Sequence, residues 1–183
     1  TRANPFATIQ QAASKMIDKY TSYTIFVDGE LGGEQTLSGT IKARQITLRS
    51  GHRTDNISGS IAISTSTPVV VENLAISTLT VGEDATVTLA GGAVVGNASV
   101  SGAFTLKNNA SANVVLGSGK TITLDGSFNG TGVAVKPADY TEGTPLITKP
   151  NGYLITAEMF TVTPGNDGSQ WKIDEDGLLQ KDE

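Results

Sequence analysis

The chain has no cysteine, so a disulfide framework and thiol chemistry are both excluded. That absence leaves the compartment open and is compatible with export into an oxidising space. Aromatic residues make up 5% of the 183 positions and charged residues 17%. A compact helical bundle would need far more Leu, Glu, Lys and Arg than this. Net charge is -5 and is thinly spread, so no basic footprint for a nucleic acid is present. No apolar run approaches the roughly 20 residues of a membrane-spanning helix. There is no signal peptide, and the chain opens at Thr1 in mid-pattern, as a mature form or an excised fragment would.

What is abundant is Gly, with 21 residues, alongside Thr, Ser, Val, Ala and Asn in the middle of the chain. This composition favours short strands and many turns.

Three zones follow. In the first, Asn4 is placed to cap a helix and Pro5 to occupy its first position. Phe6, Ile9, Ala13, Met16, Ile17 and Tyr20 recur at helical spacing, predicting a capping helix over 5–20 within a first unit of 1–22. One apolar stripe of this kind must cover something.

The second zone, 23–135, holds β-prone pieces such as 23-YTIFVD-28, 45-QITLRSG-51, 68-PVVVENLAI-76, 85-ATVTLAGG-92 and 121-TITLDGSF-128. No helical segment intervenes, so βαβ units are not expected. A Thr-Leu pair followed by a turn cluster recurs at 47–48, 88–89, 105–106 and 123–124, in steps of 41, 17 and 18 residues. The longer step fits two coils, with Val69 to Val71 as the strand between. A period near 17–21 without a helix matches one rung of a β-solenoid, in which side chains are buried only by stacking rungs. Val71, Ile76, Val87, Leu89, Leu106 and Leu124 are the expected inward positions.

In the third zone, 136–183, prolines appear at 137, 145, 150 and 164 and the rung pattern stops. Strands are expected over 153–162 and 171–180, with Asp176-Gly177 as a hairpin turn and Trp171 as an anchor. This zone reads as a C-terminal cap or small β appendage.

The segments 4-NPFATIQQA-12, 23-YTIFVDGEL-31, 45-QITLRSG-51 and 69-VVVENLAI-76 resemble the entry helix and first rungs of bacterial parallel β-helix proteins of the pectin-lyase-like superfamily. The tail 171-WKIDEDGLLQ-180 is similar to tails of repetitive bacterial surface proteins. The resemblance implies an all-β fold, a right-handed parallel β-helix (solenoid) with an N-terminal capping helix and a small C-terminal β-hairpin region. It also implies an extracellular or cell-surface location. That superfamily includes lyases, hydrolases and adhesins, so the fold does not give the activity.

The best candidate for chemistry is 49-RSGHRTD-55, with Arg44 nearby. His52, the only histidine, is a possible general base. Arg49, Arg53 and Arg44 are suited to a carboxylate or uronate, and Asp55 completes the group. The superfamily's lyases use Arg or Lys bases with calcium-holding acids, and no matching acidic set occurs in the neighbouring rungs. A polar loop between rungs is the preferred reading. Asp28 with Glu30, and Glu83 with Asp84, are carboxylate pairs read as turn residues. 117-GSGKT-121 lacks the first glycine of a P-loop, where Val114 stands, and a strand follows it. 174-DEDG-177 lacks the further ligands of a calcium loop. Asn56, Asn97, Asn109 and Asn129 head Asn-x-Ser/Thr triplets, read as Asn-rich turns. The expectation is a non-catalytic structural or adhesin-like module without a cofactor or metal, monomeric as a fragment. Its partner would be a host or surface glycan or protein. The alternative is a carbohydrate-active enzyme or glycan-binding module on the same fold.

Overall fold

The structure is a computed structural model that describes residues 5–52 and 55–182. It is a parallel β-solenoid of about six turns. A short helix α1 (Ile9–Ala13) leads into β1 (Ile17–Val27), β2 (Glu30–Leu31), β3 (Glu34–Ser38) and β4 (Lys42–Ser50). Next come β5 (Asn56–Ser64), β6 (Val69–Glu72), β7 (Ala75–Val81), β8 (Thr86–Ala90), β9 (Val94–Val100) and β10 (Ala103–Leu106). The later strands are β11 (Ser111–Leu116), β12 (Ile122–Leu124), β13 (Val133–Lys136), β14 (Ile147–Thr148) and β15 (Phe160–Val162), then the hairpin β16 (Trp171–Ile173) and β17 (Leu179–Lys181).

The chain alternates between two parallel sheets. One runs β1-β4-β6-β8-β10-β12-β14, and the other β15-β13-β11-β9-β7-β5-β2, with β3 also on β5. The Thr-Leu repeat is this alternation seen from the first sheet. Leu48 pairs with Val71, Val71 with Leu89, Leu89 with Leu106 and Leu106 with Leu124. All five are at most 1% exposed. The threonines point to the opposite face, because alternate strand residues do. The 41-residue step is therefore two turns, with Val71 at the intermediate level, as the spacing predicts. On the second sheet Leu37, Ile63, Val81, Val100 and Leu116 form the matching column.

The six expected inward residues are all buried. At the corners after the first sheet, Leu74, Ala93, Ala110 and Phe128 fill the core edge. Asn73 and Asn108 adopt positive φ there, a conformation Asn tolerates better than most side chains. Rungs meet so closely at Gly59 that a Cβ would lie 1.8 Å from the Gly33 carbonyl oxygen, which explains glycine inside β5.

The helix is shorter than its periodicity predicts. Thr8, not Asn4, is the N-cap, and its hydroxyl accepts from the Gln11 amide at 3.2 Å. Asn4 lies outside the described residues. Ile9, Ala13 and Met16 are buried, but Ile17 and Tyr20 are 81% and 76% exposed. The reason is competition: Ile17 and Asp18 pair with Lys42 and Ala43 of β4, and Lys19 to Thr21 bulge out of that ladder. Tertiary pairing overrides the amphipathic pattern. Helix α1 still covers the end of the solenoid. Its Gln10 side chain accepts from the Ser38 amide at 3.0 Å and donates to the Ser38 carbonyl at 3.4 Å. An edge strand is thus closed by a side-chain amide.

At the other end parallel pairing continues past Val135. Ile122 pairs with Ile147, and Val133 with Phe160. The prolines mark corners of this last turn. Antiparallel β16 and β17 then cover it, with Leu179 fully buried and its amide donating to the Thr144 carbonyl at 2.8 Å. Trp171 packs on Tyr140 with centroids 5.8 Å apart. Gly177 has φ +86°, as the Asp-Gly turn signal requires.

Candidate functional site

The candidate residues lie at the corner between the first and second sheets, in the first two turns. Val27 ends β1, and Asp28 and Gly29 turn the chain toward β2. One turn later Ser50 ends β4, and Gly51 to Asp55 lead into β5. The two corners stack. The Gly51 amide donates to the Val27 carbonyl at 2.8 Å, and the Asn56 amide to the Gly29 carbonyl at 3.1 Å.

Asp55 is the pin of this arrangement. It is 5% exposed, and its Oδ1 accepts from the Gly29 amide at 2.8 Å. Its Oδ2 accepts from the His52 amide. Burial pushes the carboxyl pKa up, but the amides of Gly29, His52 and Gly51 and the His52 charge outweigh it and hold it below the ordinary value. The His52 Nδ1 lies 3.3 Å from Asp28 Oδ1 and 3.5 Å from Asp55 Oδ2. His52 and Asp28 expose 61% and 68% of their side chains, so the group opens to solvent.

The structure therefore divides the sequence cluster. His52 and Asp55 come together. Arg49 projects from the outer face of the first sheet and meets Glu72 at 3.8 Å, and Arg44 is exposed on β4. Arg53 lies outside the described residues. The partner missed by sequence reasoning is Asp28, grouped there with Glu30. Glu30 instead pairs with Asn56 in the ladder. The signal was available in the rung register: Ile25 aligns with Leu48, which stacks the corner after 23-YTIFVD-28 on the corner after 45-QITLRSG-51.

Glu83 and Asp84 fall at a corner from the second sheet back to the first, on the opposite edge from Asp28. 117-GSGKT-121 is a corner, with the Lys120 amide bonded to the Gly117 carbonyl at 3.1 Å and β12 following at once. Asp174 Oδ1 accepts from the amides of Asp176 and Leu178, so 174-DEDG-177 is a hairpin turn. Of the four Asn-x-Ser/Thr asparagines, Asn109 and Asn129 lie at corners, whereas Asn56 and Asn97 lie in strands.

Corner aspartates recur as a device. Asp125 accepts from the Ser127 hydroxyl at 2.6 Å and amide at 3.0 Å, and Asp167 does the same with Ser169. Those hydrogen bonds, the hydroxyl foremost, hold both carboxyl pKa values below the ordinary range. A carboxyl whose pKa is lower folded than unfolded adds stability above about pH 4, and loses it as pH falls through the folded value. Urea midpoints should therefore drop on acidification below about pH 4. The drop should be shallower in an Asp125→Asn, Asp167→Asn double variant. An unchanged acid slope in that variant would remove these turns from the account.

No protein-family model, curated protein or solved structure matches the chain.

Proposed function

We propose that this chain is a non-catalytic structural or adhesin-like module of a bacterial cell-surface or secreted protein, akin to pectin-lyase-like β-helices. The observation that carries the reading is the uninterrupted stack of buried columns, joined from β5 to β12 by corners of two to five residues. Two outward ion pairs bridge successive turns along the axis, Arg49 with Glu72 and Lys107 with Asp125, both 3.8 Å apart. Such a body is a rigid spacer that presents two regular strand faces to a glycan or protein partner.

A glycan-binding reading has one specific observation in its favour. Phe26 and Tyr20 are 62% and 76% exposed on β1, and exposed aromatic rings offer stacking faces to sugars. A glycan array with Phe26→Ala and Tyr20→Ala variants separates binder from scaffold.

Incubation with polygalacturonate, alginate and glycosaminoglycans, with and without calcium, is expected to release no unsaturated or reducing ends. Retaining and inverting glycosidases need two carboxyls flanking a sugar. Here an imidazole sits between Asp28 and Asp55, and their oxygens lie within 4.8 Å. Turnover abolished by His52→Ala would replace the scaffold reading with an enzymatic one.

A further inference from the structure

We propose that Asp28, His52 and Asp55 bind a divalent transition-metal ion of the zinc class, clipping together the corners of the first two turns.

The donor set comes from two successive turns: one imidazole nitrogen and two carboxylate oxygens, each within 4.8 Å of the others. Zinc bonds of about 2.0–2.1 Å in a tetrahedron place adjacent donors roughly 3.3–3.4 Å apart. The His52 Nδ1 stands 3.3 Å from the Asp28 oxygen and 3.5 Å from the Asp55 oxygen. These are edges of such a polyhedron with little rearrangement.

Ligating carboxylates are normally oriented by outer hydrogen bonds. Asp55 has that support already, from the amides of Gly29 and His52. It is buried and fixed, while Asp28 and His52 reach it from the solvent side, leaving an entry path and a fourth position for water. An imidazole donor favours zinc, copper, nickel or iron over calcium and magnesium, which take oxygen ligands. Two carboxylates and a neutral imidazole also balance the charge of a divalent ion.

The composition makes the test clean. His52 is the chain's only histidine and cysteine is absent, so no other side chain offers an imidazole or thiolate donor. The untagged full chain is stripped with EDTA and titrated with zinc chloride, with calcium chloride in parallel. One zinc per chain is expected, with a melting midpoint raised by about 5–10 °C at a hundredfold excess over Kd, and no comparable shift with calcium. Zinc should shift the Nδ1 resonance of this one imidazole in nitrogen-15 spectra. His52→Ala and Asp28→Asn, both at exposed positions, should fold as the parent does and weaken zinc binding at least tenfold. The absence of zinc binding at millimolar concentration overturns the proposal. So does binding that His52→Ala leaves unchanged, an unperturbed imidazole, or a calcium response equal to the zinc response.

Discussion

Leu106→Asp abolishes the cooperative thermal transition of the native chain. Leu106 is fully buried in β10, between Leu89 of the preceding turn and Leu124 of the next. In a solenoid each rung is stabilised by its two neighbours, so one lost level interrupts the stack on both sides. Truncation to Ala alone costs about 2–5 kcal/mol at a buried leucine. A carboxylate adds desolvation with no partner at hand, because the levels above and below Leu106 are Leu89 and Leu124. The comparison is Lys107→Ala, one residue on and facing out. Lys107 is part-exposed and 3.8 Å from Asp125, so its removal costs no more than about 1 kcal/mol. Thermal melts followed by circular dichroism decide the matter. Equal midpoints for Leu106→Asp and Lys107→Ala would mean that the column does not carry the fold.

Removal of residues 1–15 produces higher oligomers or insoluble protein. Helix α1 brings Ile9 and Ala13, each 2% exposed, over the first rungs, and Met16 follows at 8%. Without it, the packing of α1 on β3 and β1 is lost and the hydrogen bonds of Gln10 to Ser38 vanish. The Ile9 amide's bond to the buried Gln35 goes with them. What remains is an open strand edge beside apolar side chains, the arrangement that recruits another chain. The cut stops before Ile17 because that residue begins β1. Size-exclusion chromatography with light scattering reads the outcome. A stable monomer would deny the helix its capping role.

The parts of the fold legible in the sequence were those set by alternation. Thr-Leu pairs separate an outward from an inward residue, and their recurrence marks the column of the first sheet. The helical period of Phe6, Ile9, Ala13, Met16, Ile17 and Tyr20 runs on past the helix itself, because the competing ladder to Lys42 and Ala43 is non-local. The last turn was obscured by its prolines, which interrupt pattern without interrupting pairing. At the candidate site, His52 and Asp55 were visible as neighbours in the chain. Asp28 was not joined to them, since that neighbour depends on the register between β1 and β4. Arg49 is close to His52 in sequence, but strand alternation and the corner after Ser50 send the two side chains to different partners, Glu72 and Asp28.

The parallel ladders have a mechanical corollary. Their hydrogen bonds run along the solenoid axis, and β1 lies at one end while β14 and β15 lie at the other. Tension between the ends pulls each ladder open bond by bond, as a zip parts, and not by shearing a whole strand at once. Turns therefore leave singly, and each 17- or 18-residue step in the middle of the chain releases roughly 60 Å of extended polypeptide. A molecule built this way lengthens in small, even increments under load and gives up its outermost turns first.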